Sequence, residues 1–141
     1  MFTPLPAILL VDDDPTSNYL SERLIRRLAA AQEVLVAQNG QRALDLLRER
    51  CGKGCVGCPS LVLLDVNMPV MNGFEFLESL LPLTIDCNQE IVVVILTTSQ
   101  LDEDILRTHY LPVTDFLTKP LTYEKLTNVL ARFFNRPISD N

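Results

Sequence analysis

A chain of 141 residues, 48% of them hydrophobic, has enough apolar surface for one domain around a single core. Its formal net charge of −6, with Lys and Arg scattered rather than clustered, argues against nucleic acid or an anionic membrane as a direct partner. No apolar run is long enough to cross a bilayer, and the opening MFTPLPAILLVDDD lacks the basic n-region of a signal peptide, so a cytoplasmic address is expected.

In chain order, AILLV (7–11) is the first strand and ends on Asp12 and Asp13. Asp14 followed by Pro15 is a good N-cap and first-turn pair, and Leu20, Leu24, Ile25 and Leu28 give the helix behind it one apolar face. EVLVA (33–37) is the second strand, with Ala43, Leu44 and Leu47 marking the second helix. The third strand, LVLLD (61–65), ends on Asp65; a third helix carries Phe74, Leu77, Leu80 and Leu81 and stops at Pro82. IVVVILT (91–97) is the fourth strand and ends on Thr97, and Asp102 opens a weaker fourth helix that ends before Pro112. TDFLT (114–118) is the fifth strand and runs into Lys119–Pro120. Thr122 opens the fifth helix, with Leu126, Val129, Leu130 and Phe133 inward.

Three of these strands are apolar almost throughout, as strands of a parallel sheet covered on both faces are. Five βα units in one small chain predict a doubly wound α/β sandwich, flavodoxin-like, with sheet order 2-1-3-4-5 and right-handed crossovers. A ligand site in such a sheet lies at the carboxyl ends of strands 1 and 3 and their neighbours.

That edge collects Asp12, Asp13, Asp65, Thr97 and Lys119. Three carboxylates so close repel one another unless a cation intervenes. The Lys119 ammonium is one such cation; Mg²⁺, which takes few protein ligands and favours phosphate oxygens, is another. Taken singly, each residue has a plainer explanation: a helix cap for Asp12 or Asp14, a strand-end hydroxyl for Thr97, a solvated charge for Lys119. Their coincidence at one edge is what singles them out, with Asp14 alone left to the capping role.

The strings LLVDDDP (9–15), LLDVNMPVMNG (63–73), ILTTS (95–99) and FLTKP (116–120) resemble, in order and over nearly the whole chain, a response-regulator receiver domain of two-component signalling. The resemblance makes Asp65 the phospho-acceptor and assigns Mg²⁺ to Asp12, Asp13, Asp65 and the backbone carbonyl of Asn67. It makes Thr97 the switch hydroxyl, Lys119 the active-site lysine in a cis Lys119–Pro120 peptide, and Phe116 the rotating aromatic. It implies a histidine kinase or histidine phosphotransfer protein as donor and an unidentified protein target. That target would read the face built from the fourth helix, fifth strand and fifth helix, and homodimerisation on phosphorylation is compatible with it. Asn67 and Ser99, at the positions that tune hydrolysis in this family, supply no obvious base, so fast self-dephosphorylation is not expected.

The chain reads as a single, stand-alone receiver domain, with its core at about 6–135 and a short polar tail at 136–141, acting as a signalling module rather than an enzyme. His109, far from the acidic edge, reads as a surface residue. The added feature is a Cys/Gly-rich loop over 51–59. Cys51, Cys55 and Cys58, with Cys87 before the fourth strand, fall at the opposite end of the sheet from Asp65. In a cytoplasmic setting the four cysteines are expected as thiols or metal ligands rather than disulfides. Four thiolates there would suit zinc, although the spacing matches no common zinc motif, and the plainer alternative is a variable loop with free or casually oxidised thiols. The rival function is a haloacid-dehalogenase-like phosphohydrolase, which also uses an aspartyl-phosphate and Mg²⁺. That family sets its nucleophile near the chain start with a second Asp two residues on, where this chain has Asn67.

Overall fold

The computed structural model describes residues 4–51, 58–65, 75–80, 91–97 and 113–134. The predicted fourth helix, Asn67, Ser99, His109, Cys55, Cys87 and the tail 136–141 lie outside them. Within them the elements are β1 (Leu5–Val11), α1 (Pro15–Arg27), β2 (Ala31–Ala37), α2 (Gly40–Cys51), β3 (Leu61–Asp65), helical residues 75–80 (α3), β4 (Val92–Thr97), β5 (Asp115–Thr118) and α4 (Tyr123–Phe134). The five strands form one parallel sheet in the order β2-β1-β3-β4-β5, as the βα alternation predicts.

Strand periodicity divides the core in two. Leu9, Val11, Val62, Leu64, Val93 and Ile95 pack on one face with side chains of α2 and α3, including Leu44, Leu47 and Phe76. Ile8, Leu10, Leu61, Leu63, Val94 and Leu96 pack on the other with Ile25 of α1 and Leu126, Val129 and Leu130 of α4. Every residue of β3 and β4 is buried, which is why these strands read as unbroken apolar runs.

Register then sets the height of each strand end. Val11 lies opposite Leu64, Asp65 opposite Leu96 and Thr97 opposite Thr118, so Asp12, Asp65, Thr97 and Lys119 emerge along one edge. The backbone N–H of Lys119 donates to the Thr97 carbonyl at 2.9 Å, carrying the last ladder bond to the lip of the sheet.

Two local features differ from the sequence pattern. Leu20, expected on the inward stripe of α1, is 56% exposed, and Asn18 is buried in its first turn. Leu20 instead lines a cavity with Asp12, Lys119, Pro120 and Leu121 at the carboxyl edge of the sheet. After α1, Ala29 takes a left-handed conformation (φ 51°) in which its N–H donates to Arg26 and that of Ala30 to Ile25. For a residue with a Cβ that costs roughly 1–2 kcal/mol.

Candidate functional site

The β1–α1 junction is held by polar contacts on every side. The Asp12 N–H donates to the Ala37 carbonyl at 3.1 Å, and the Asp12 carbonyl accepts from Asn18 Nδ2 at 2.8 Å. Asp12 Oδ1 accepts from the Asp14 N–H and Oδ2 from Lys119 Nζ, both at 2.9 Å. Asp14 is the N-cap of α1 that its position before Pro15 predicts: its carboxylate accepts from the Thr16 N–H and the Ser17 hydroxyl, both at 3.0 Å. It therefore serves the helix, while its neighbours serve the edge.

Asp12, Asp65 and Thr97 are buried, with 7%, 8% and 6% exposure, whereas Asp13 is exposed. One oxygen from each of Asp12, Asp13 and Asp65 lies within 4.8 Å of the others. Lys119 Nζ stands 2.9 Å from Asp12 Oδ2 and 3.4 Å from Asp65 Oδ2. Burial alone would pull the Lys119 pKa down; the hydrogen bond to Asp12 and the charges of Asp65 and Asp12 outweigh it, and the pKa stands above its ordinary value. Lys119 is therefore a fixed positive charge at neutral pH. Lys119 thus pairs with Asp12 and Asp65, and the Asp13 carboxylate lies close beside those two.

The turn that presents Lys119 is itself tied down. Lys119–Pro120 is a cis peptide, as expected, and Lys125 Nζ donates to the carbonyls of Thr118 (2.6 Å) and Pro120 (3.1 Å) from the first turn of α4. Sequence reasoning missed Lys125 and Asn18, since a polar residue on a helix carries no sign of which backbone carbonyl it will reach.

This set of hard, clustered oxygens with an excess of negative charge fits a small divalent cation. Asp12, Asp13 and Asp65 would hold it; Asn67, the expected fourth donor, lies outside the described residues. The arrangement presents a carboxylate at the end of β3 with an ammonium against it, two further carboxylates close by, and Thr97 at the end of the neighbouring β4.

A family model described as "Response regulator receiver domain" matches residues 8–131. The chain belongs to the response regulator receiver family. The receiver domain is 36% identical over 119 residues to the "Probable methanogenesis regulatory protein FilR2" of Methanothrix harundinacea, covering 84% of this chain and 75% of that protein. It is 32% identical to "Protein PilH" of Pseudomonas aeruginosa, covering 87% and 93%. Among solved structures, a two-component response regulator from Cytophaga hutchinsonii superposes with a TM-score of 0.80 at 27% identity, covering 95% and 100%. Receiver domains are signalling modules, and the haloacid-dehalogenase alternative gains no support: the strand-end carboxylate Asp65 sits on the third strand, in mid-chain.

The receiver domain has no described helix long and apolar enough to cross a membrane. Its cysteine loop departs from expectation at one residue. Cys58 is buried in the α2–α3 side of the core and is disulfide-bonded, contrary to the expectation of thiols or metal ligands, so its sulfur is not a thiolate for zinc. The side chain of Cys51, and Cys55 and Cys87, lie outside the described residues.

Proposed function

We propose that Asp65 accepts a phosphoryl group from the phosphohistidine of a histidine kinase or histidine phosphotransfer protein, and that the aspartyl-phosphate changes the face read by a target protein. The observation that carries this reading is the convergence of Asp12, Asp13 and Asp65 within 4.8 Å, with Lys119 bridging two of them. A carboxylate oxygen of Asp65 forms the new O–P bond as the donor's N–P bond breaks, and the donor imidazole leaves with the bonding pair. Asp65 is fixed at the end of a fully buried strand, so it meets the phosphorus with little orientational freedom to lose. Lys119, once turned from Asp12, neutralises one equatorial oxygen, and the Thr97 hydroxyl donates to another. Asp12, Asp13 and Asp65 would hold Mg²⁺, which would supply positive charge between the anionic phosphoryl group and the anionic acceptor.

The surroundings favour a protein donor. Tyr19 and Leu20 of α1 are 63% and 56% exposed. A cavity of about 130 Å³ runs from Asp12 and Lys119 to Leu20, Pro120 and Leu121. It adjoins a groove bordered by Leu24, Arg23 and Arg27. An apolar surface with a basic border beside the acceptor suits a helical partner that delivers its histidine over Asp65.

Phe116, half-buried against the α2–α3 side of the core, lies on β5 beside Ile95, two residues before Thr97 on the neighbouring strand. In this reading Thr97 moves toward the phosphoryl group and Phe116 turns into the space it leaves. A target that prefers this form shifts the population toward it. Labelling with a small phosphodonor tests the reading: wild type becomes phosphorylated in the presence of Mg²⁺ and Asp65→Asn does not. Equal labelling of both would remove Asp65 as acceptor, and profiling against the histidine kinases of the source genome would identify the donor.

A further inference from the structure

Asn18 has no part in the phosphoryl chemistry above, yet it is placed unusually. It is one of two buried residues in α1, the other being Ile25, and it sits in the first turn with 6% exposure. Asparagine is a poor residue for a helix interior and its amide is costly to bury without a partner. Its partner is the Asp12 carbonyl, six residues back, at 2.8 Å. Asp12 directly follows β1, so this carbonyl opens the acidic loop.

The carbonyl of Asp12 and the N–H of Asp13 belong to one rigid peptide plane. Holding the oxygen therefore fixes the direction in which the chain leaves toward Asp13. Asp12 has two further anchors on its carboxylate, the Asp14 N–H and Lys119, and Asp14 is anchored by capping α1. Asp13 is exposed, so its aim at Asp12 and Asp65 depends on the backbone either side of it. On one side that backbone is held by the Asp14 cap, and on the other by Asn18.

We infer that Asn18 is a positioning residue for the acidic edge, fixing the Asp12–Asp13 peptide so that Asp13 is preset to share a divalent cation with Asp12 and Asp65. This rests on the reading that the edge binds Mg²⁺. Asn18 touches neither the cation nor the phosphoryl group; it acts through the ligand's backbone, at the distance where outer contacts change metal affinity by about 10-fold or more.

The test is the affinity of the full chain for Mg²⁺ alone, measured by calorimetry and by the shift of the Asp13 amide in an NMR titration, with thermal unfolding in chelator run in parallel. Asn18→Leu keeps the volume and removes the donor; Asn18→Ala removes the donor without adding bulk and stands in if the leucine variant does not fold. Both are expected to bind Mg²⁺ about 10-fold more weakly than wild type, and Asn18→Gln, which keeps an amide donor, to recover most of the loss. Wild-type affinity in the folded donor-less variants overturns the inference and leaves the acidic edge standing. Equal weakening in the glutamine variant also overturns it, because packing rather than the donor would then be responsible. Absence of Mg²⁺ binding in wild type itself removes the cation reading, and this inference with it.

Discussion

Two ion pairs in this receiver domain share the same elementary attraction and do different work. Arg50 at the end of α2 and Glu33 on β2 form a paired contact, 2.6 and 2.9 Å, at the surface. The hydrogen bond from Arg50 holds the Glu33 carboxyl below its ordinary pKa against a small opposing effect of burial. Each charge there has its match. Lys119 has the looser geometry, 2.9 and 3.4 Å, yet faces two buried carboxylates and stands beside a third. The better-made pair joins one cation to one anion; at the carboxyl edge one ammonium stands among three clustered carboxylates, a donor set that fits a divalent cation.

Replacing each cation in turn breaks the comparison at its widest point. Lys119→Met removes the ammonium shared by Asp12 and Asp65 and is expected to cost on the order of 3 kcal/mol in metal-free buffer, read by chemical denaturation. The difference between wild type and this variant carries a pH signature. A lysine whose pKa is raised by folding contributes fully below its unfolded value and loses that contribution as pH rises through the folded one. With the Lys119 pKa raised, the difference should therefore be flat through neutral pH and shrink only under strongly alkaline conditions, which unfolding curves across that range would show.

Mg²⁺ should act on the carboxyl edge alone. At roughly 100 times its dissociation constant it would stabilise wild type by about 2.7 kcal/mol. Asp13→Asn separates charge repulsion from cation binding: in chelator it should raise stability by about 1 kcal/mol by relieving like charges, and it should lose most of the Mg²⁺ increment. A variant less stable than wild type in chelator would mean that Asp13 does not repel its neighbours. The smallest effect belongs to the Arg50–Glu33 pair. Glu33→Gln should change stability by less than about 1 kcal/mol, and that difference should fade in about 1 M salt, which screens exposed charges.

The sequence carried the architecture because burial writes itself into composition. β3 and β4 are covered on both faces and so appear as LVLLD and VVVILT, with the site residues Asp65 and Thr97 where each run ends. Asp14–Pro15 announced the start of α1 by capping chemistry that is local in the chain. Legibility failed where the deciding contact is remote. Leu20 repeats the apolar period of α1 but lines the cavity beside Lys119 and Pro120 and stays exposed, while Asn18 reads as a polar surface position and is buried on a carbonyl. Lys125 looks like any helix-surface lysine, yet it holds the turn at Thr118 and Pro120.

By itself, then, the order of residues determined which elements form, which faces they bury and which polar groups stand at the carboxyl ends of the strands, since hydrophobic period and capping depend on near neighbours. The tertiary structure alone decided that Asp12 lies level with Asp65, because parallel register between β1 and β3 joins residues more than 50 positions apart. It also decided that Lys119 is drawn between those two carboxylates rather than into water. Charges separated along the chain acquire a shared field only when the sheet brings their strand ends to one edge and burial lowers the screening between them.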